Sequence, residues 1–220
     1  VPATIYRPHK TPPVKAEQLQ QWGATVIREG AVWDEANWAA LIHADQAQMP
    51  YLHPFADPWV MAGQGTILLE VLEDLPAVDT LLVAIGGGGL ISGISFAAKA
   101  LRPEMKIIGV EATGAPTLQA SLAAGQVVEL SNVNTKANTL APRQTELVNF
   151  DIIRRCVDDI VLVTDEQMQA AARWLWFEMG VAAELSGAAT IAALQSGAYQ
   201  PLPGAQVCAL ICGAGTDGIA

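Results

Sequence analysis

Cysteine, histidine and positive charge are all scarce in this chain, and each scarcity removes a class of function. The three cysteines, Cys156, Cys208 and Cys212, are odd in number and form no C-x-x-C pair. That argues against a disulfide framework or a thiolate zinc site and for a reducing, cytoplasmic setting. Of the three histidines, His43 has no second His or Cys at ligand spacing, so it reads as a partly exposed helix residue. Twelve Lys and Arg stand against 22 Asp and Glu, a net charge of −10, which argues against nucleic acid or an anionic membrane as partners. No apolar run approaches the roughly 18 residues that span a bilayer, and no charged-then-apolar leader opens the chain. Val1 replaces a starting Met, and Val1-Pro-Ala-Thr-Ile-Tyr6 reads as a strand in progress. The N-terminus is therefore expected to be a cut edge.

Apolar residues are plentiful at 51% and charged ones few at 15%, which suits a buried sheet covered by Ala-rich helices. The richest stretch is Thr80-Leu-Leu-Val-Ala-Ile-Gly-Gly-Gly-Gly-Leu-Ile-Ser-Gly93. Its apolar run fits a buried parallel strand, and Leu90, Ile94, Ala97, Ala98 and Leu101 then recur at helical spacing. Four glycines between them permit positive φ and leave no Cβ to block a ligand at the helix N-terminus, where an anion is favoured. This predicts a phosphate cradle. The dinucleotide pattern G-x-G-x-x-G is not met and no P-loop Lys follows; a tight βα turn without a ligand is the other reading.

Strand and helix patterns alternate along the rest of the chain. Strands are expected at Ala3–Tyr6, Ala24–Arg28, Lys106–Glu111, Ile160–Val163 and Gln206–Cys212, with a strand end near Met49–Leu52. Helices are expected at Val14–Gln21, from Asp34, from an Asp57-Pro58 cap to about Leu75, at Thr117–Ala124, Glu146–Cys156, after a Thr164 or Asp165 cap, and at Ser186–Leu194. Pro8–Pro13 reads as a turn and Val127–Arg143 as an irregular site loop. Gly63 and Gly65 within a helix call for a close approach, and Trp174 and Trp176 read as core or interface filler. The fold class is therefore α/β, a mainly parallel sheet with helices on both faces, with residues 1–45 as the remainder of a small α/β domain and 46–220 as a large ligand-binding domain.

Taken in order, His53-Pro-Phe55 leading into Ala62-Gly-Gln-Gly-Thr66, Gly86-Gly-Gly-Gly-Leu-Ile-Ser-Gly93, Gly109-Val-Glu111 and Leu185-Ser-Gly-Ala188 resemble the serine/threonine dehydratases. These are pyridoxal-phosphate enzymes of the tryptophan-synthase β-like fold, and the resemblance covers the whole chain. It implies that Gly86, Gly87, Gly88, Gly89 and Leu90 hold the phosphate of pyridoxal 5'-phosphate through backbone N–H groups, with Phe55 beside the ring. Cys212 stands where many relatives have a serine that meets the pyridine nitrogen, and a thiol is the weaker donor. Asn138 and Thr139 replace residues near the cofactor hydroxyl. Glu111 resembles a cation ligand of metal-binding relatives, with Thr117 where some have a second carboxylate; capping is the other reading of Glu111.

The resemblance also implies a Schiff-base lysine and a carboxylate-gripping loop N-terminal to Val1. Lys10, Lys15, Lys99, Lys106 and Lys136 lack the Ser-x-Lys context. The chain is accordingly expected to be a fragment, inactive alone, of an enzyme that eliminates the β-hydroxyl of L-threonine or L-serine to give a 2-oxo acid and ammonia. A racemase or β-replacement enzyme of the same fold, or a non-catalytic phosphate-ligand binding protein, are the alternatives. The expected partner is a small hydroxy-amino acid, and a homodimer is allowed by the six tryptophans.

Overall fold

The computed structural model describes residues 2–9, 11 and 13–219. Val1, Lys10, Pro12, Ala220 and the side chains of Val14 and Lys15 lie outside the described residues, and with them parts of the expected first strand and of the Pro8–Pro13 turn. The chain divides into two compact units, Val1–Leu52 and His53–Ala220.

In the first unit, β1 (Thr4–Arg7) pairs in parallel with β2 (Thr25–Arg28), with α1 (Pro13–Gln21) in the crossover. Gly23 turns the chain at φ +86°. The next helix, α2 (Trp33–Gln46), buries Ala36 and sets His43 5.7 Å from the Tyr6 ring, where it is the partly exposed helix residue expected. The strand end expected near Met49–Leu52 is a loop, with Gln48 at φ 51° and Pro50 immediately after Met49 turning the chain out of extension.

The second unit is built on a four-stranded parallel sheet, ordered β5-β4-β3-β6: β3 (Thr80–Ala84), β4 (Lys106–Ala112), β5 (Asp159–Val163) and β6 (Val207–Ala209). Alternate strand residues feed two cores. Leu81, Val83 and Ile107 face α3 (Pro58–Asp74), α4 (Gly89–Leu101) and α6 (Leu147–Cys156), while Leu82, Ala84, Ile108 and Val110 face α7 (Asp165–Met179) and α8 (Leu185–Ser196). Helices thus cover both faces, as a sheet of continuous apolar strands demands. The last strand is shorter than expected, because pairing with β3 ends at Ala209 and one further bond from Leu210 N–H to Leu82 O.

Local signals set the helix ends. Asp57 accepts from the N–H groups of Trp59 (2.8 Å) and Val60 (3.2 Å) with Pro58 at the first position of α3. Thr164 and Gln167 form a reciprocal capping box at α7. A short helix, α5 (Thr117–Ala124), ends at Gly125 with φ +69°.

The buried helix faces follow the apolar spacing in part. In α4 the buried stripe is Ile91, Ile94 and Ala98, and Leu101 is exposed, because the helix packs against both α3 and α6. In α3 it is Met61, Gly65 and Leu68. In α7, Met168, Ala172 and Leu175 are buried and Met179, Trp174 and Trp176 are exposed, which removes the core from the two roles, core or interface filler, expected of the tryptophans.

Candidate active site

The chain runs from β3 outward to β4 and β5, then returns to lay β6 against the other side of β3. This reversal places a crevice between the carboxyl ends of β3 and β6, where open α/β sheets bind ligands. The glycine turn follows β3 and Cys212-Gly213 follows β6, so the sheet order brings two distant stretches to the same edge.

Gly88 adopts φ +99° at the N-cap of α4, a left-handed conformation that suits glycine. The first intrahelical bond is Ser92 N–H to Gly88 O, 2.9 Å, which leaves the N–H groups of Gly89, Leu90 and Ile91 without an intrahelical acceptor. The other glycines are required by the protein itself. A Cβ on Gly86 would lie 2.1 Å from Thr139 O, one on Gly87 2.4 Å from the Phe55 ring, and one on Gly89 2.7 Å from the Phe55 backbone. Phe55 is thereby packed directly on the turn. Thr145 Oγ1 donates to Gly87 O at 2.9 Å from behind.

The Phe55 segment is fixed by His53, whose Nδ1 accepts from the N–H groups of Phe55 (3.3 Å) and Ala56 (3.0 Å). That assigns the ring proton to Nε2, which lies 3.6 Å from Glu146 Oε1. Burial holds the His53 pKa below its usual value, with Glu146 and Asp57 offsetting part of the effect.

Thr139 connects the two sides of the crevice. Its carbonyl lies against Gly86, and its hydroxyl is hydrogen-bonded to Ser186 and donates to Glu184 Oε1 at 3.2 Å. Glu184 N–H in turn donates to Gly213 O (3.1 Å), and its carboxylate lies where a Cβ on Gly213 would be, at 2.7 Å. Next to Gly213, Cys212 keeps an exposed face although many protein atoms surround its sulfur, as befits the wall of an open crevice. Burial pushes its thiol pKa up; a backbone hydrogen bond offsets part of this and the Glu184 charge adds to it. The group is a neutral S–H at physiological pH, a weak donor rather than a thiolate nucleophile.

Glu111 points elsewhere. Fully buried at the end of β4, it accepts from Leu118 N–H (2.8 Å) and Gln119 N–H (2.9 Å) and so caps α5. Thr117 Oγ1 donates to Pro142 O at 2.8 Å. Among the described residues no group of three His, Cys, Asp or Glu could hold a metal. The lysines of this unit are also placed away from the turn: Lys99 Nζ lies 3.0 Å from both Asp158 Oδ2 and Met105 O, Lys106 opens β4 at the opposite end of the sheet, and Lys136 is exposed beside Asp165.

Asn149, Thr145 and Glu184 are site neighbours that sequence reasoning missed. Asn149 had a signal, an amide on the same helical face as Ile153 and Cys156. The other two had none in the sequence.

A parallel α/β unit with a glycine-lined helix N-terminus at its topological switch point defines a class of protein that holds a small phosphorylated ligand. The chain belongs to the pyridoxal-phosphate dependent enzyme family, whose model matches residues 1–213. It is 41% identical over 210 residues to an L-threonine ammonia-lyase of Geobacter sulfurreducens, covering 96% of this chain and 52% of the relative. The processed form of threonine deaminase isoform 2 from Solanum lycopersicum superimposes with a TM-score of 0.88 at 33% identity, covering 98% of this chain and 63% of that one. Maize serine racemase superimposes with a TM-score of 0.90 at 30% identity over 97% of this chain and 66% of its own. The chain spans about half the length of the curated relatives it matches.

Proposed function

We propose that the protein carrying this chain is a pyridoxal-phosphate dependent ammonia-lyase acting on L-threonine or L-serine. The observation that carries the reading is the glycine turn itself: N–H groups of Gly89, Leu90 and Ile91 without intrahelical acceptors, a left-handed Gly88, and Phe55 packed against the turn at the β3–β6 crevice. The residues fit the phosphate of the cofactor, since a helix N-terminus offers both donors and a partial positive charge. When bound, the cofactor supplies an electron sink for the carbon next to the amino group.

The chain's own residues supply binding and orientation. Gly86 to Leu90 hold the phosphate, Phe55 stands beside the ring, and the neutral Cys212 thiol offers the ring nitrogen a weak hydrogen bond. Thr139 orders the side of the crevice between Gly86 and Glu184. Removal of the Cα proton is not assigned to a described residue, because Lys99, Lys106 and Lys136 all stand away from the turn. The unit His53–Ala220 serves as the cofactor domain and Val1–Leu52 as the remainder of a smaller α/β domain, with Glu111 a cap rather than a cation ligand.

Incubation of the whole protein that carries this chain with pyridoxal phosphate and L-threonine should release ammonia and 2-oxobutanoate in equal amounts, or pyruvate from L-serine. Conversion of L-serine to its D-form without ammonia would favour the racemase reading that the maize structure raises. No binding of pyridoxal phosphate at all would sink both.

A further inference from the structure

Behind the glycine turn sits a polar side chain that the reaction does not touch. Asn149 is completely buried on α6, and its Nδ2 lies within donor reach of three acceptors: Phe55 O at 2.9 Å, Ser92 Oγ at 3.1 Å and Met61 Sδ at 3.3 Å. One amide therefore joins α6, α4 and α3 to the irregular segment that carries Phe55. The carbonyl of Phe55 fixes which amide atom points there, since only N–H can donate to it. The opposite atom, Asn149 Oδ1, is buried and makes no hydrogen bond among the described residues. A buried acceptor left unpaired is destabilising, so the fold retains an amide where an apolar side chain would avoid that cost.

The helix that carries it lies directly against the turn. A Cβ on Gly88 would meet Ile153 Cδ1 at 3.0 Å and Asn149 Cβ at 3.2 Å, and Thr145, four residues before Asn149, donates to Gly87 O. The front of the turn is Phe55, whose ring and backbone crowd Gly87 and Gly89. His53 holds the N–H groups of Phe55 and Ala56, and Asn149 holds the Phe55 carbonyl.

We propose that Asn149 is a positioning residue for the phosphate cradle: by tying Phe55 O to Ser92 it fixes the gap between Phe55 and the first turn of α4, and so sets the affinity for the phosphate of the cofactor. This deepens the functional reading above and rests on it. A carboxylate could not replace the amide, because it would turn an acceptor toward the Phe55 carbonyl. A threonine could replace it in part, with a single O–H donor.

The test compares pyridoxal phosphate with pyridoxal, which lacks the phosphate, by tryptophan fluorescence or calorimetry on the protein and its variants. Asn149→Ala should weaken pyridoxal phosphate about tenfold, the effect of one lost hydrogen bond. Pyridoxal binding should change by less than about twofold, since that ligand makes no use of the cradle. Asn149→Thr should recover part of the loss, and Ser92→Ala should show a smaller effect of the same kind. Asn149→Thr and Ser92→Ala carry the comparison should Asn149→Ala fail to fold. Equal weakening of both ligands, or none in any variant, would overturn the positioning role alone. A wild-type protein that binds pyridoxal phosphate no more tightly than pyridoxal would overturn the cradle reading, and this inference with it.

Discussion

Gly65 of α3 and Gly93 of α4 meet backbone to backbone: a Cβ on Gly65 would lie 3.0 Å from Gly93 O, and one on Gly93 2.8 Å from Gly65 N and 2.0 Å from Met61 O. The contact sets how closely the two helices cross beneath the glycine turn. Gly93→Ala should therefore lower stability by about 1–3 kcal/mol, a fall of several degrees in Tm for a chain of this size. Gly63→Ala should do the opposite, raising stability by about 0.5–1 kcal/mol, because nothing lies within 4 Å of a Cβ there. Thermal unfolding of the two variants checks both signs.

Glu111 gives the fold a pH dependence. Burial raises its pKa from 4.5 to about 7, against the opposing hydrogen bonds from Leu118, Gln119 and Thr117. The folded chain thus holds a proton that the unfolded chain releases near 4.5. The resulting stability is complete below pH 4.5 and is lost as pH rises through about 7, at most on the order of 3 kcal/mol. Glu111→Gln should remove this slope while retaining one acceptor for α5. Denaturant unfolding of both proteins between those pH values would show parallel slopes if burial is not the cause.

His53 acts in the opposite direction. Its pKa is lowered by burial, so the folded chain resists protonation that the unfolded chain accepts near 6.5. Stability is complete above that value and declines as pH falls toward the folded pKa. Protonation of Nδ1 would also remove the acceptor for Phe55 and Ala56. The substitution His53→Asn, which keeps an acceptor and does not titrate, should flatten the acid limb of the unfolding profile.

Cys212 is the exposed cysteine of the three, and burial of its surroundings raises its pKa above 9.0. A thiol reagent should modify Cys212 before Cys156 and Cys208, slowly at neutral pH and faster as pH rises. Pyridoxal phosphate should protect it. Mass mapping of the labelled peptide reads the order, and labelling that the cofactor leaves unchanged would remove Cys212 from the site.

Much of the architecture was legible because local signals and burial agreed. The Asp57-Pro58 cap, the Thr164 cap and the Gly125 stop all lie where their side chains dictate. The glycines were legible as the turn between β3 and α4, and Phe55 does lie against them. Where a buried face ends was not legible: Leu101 stands at helical spacing with the buried Ile94 and Ala98 yet is exposed, since that depends on neighbours far along the chain. The same limit hid Asn149, whose three acceptors come from residues 57 to 94 positions away. Gly63 and Gly65 looked alike in sequence, yet only Gly65 has a close neighbour.

The closure of Phe55 and Thr139 over the glycine turn has a consequence for reading related sequences. Three of the four glycines are demanded by contacts within the protein and the fourth by its left-handed φ. A descendant that had given up its cofactor would still need all four to fold. Glycine at 86 to 89 therefore identifies the scaffold, and whether a relative keeps the chemistry is better judged at residues whose removal would leave the scaffold standing.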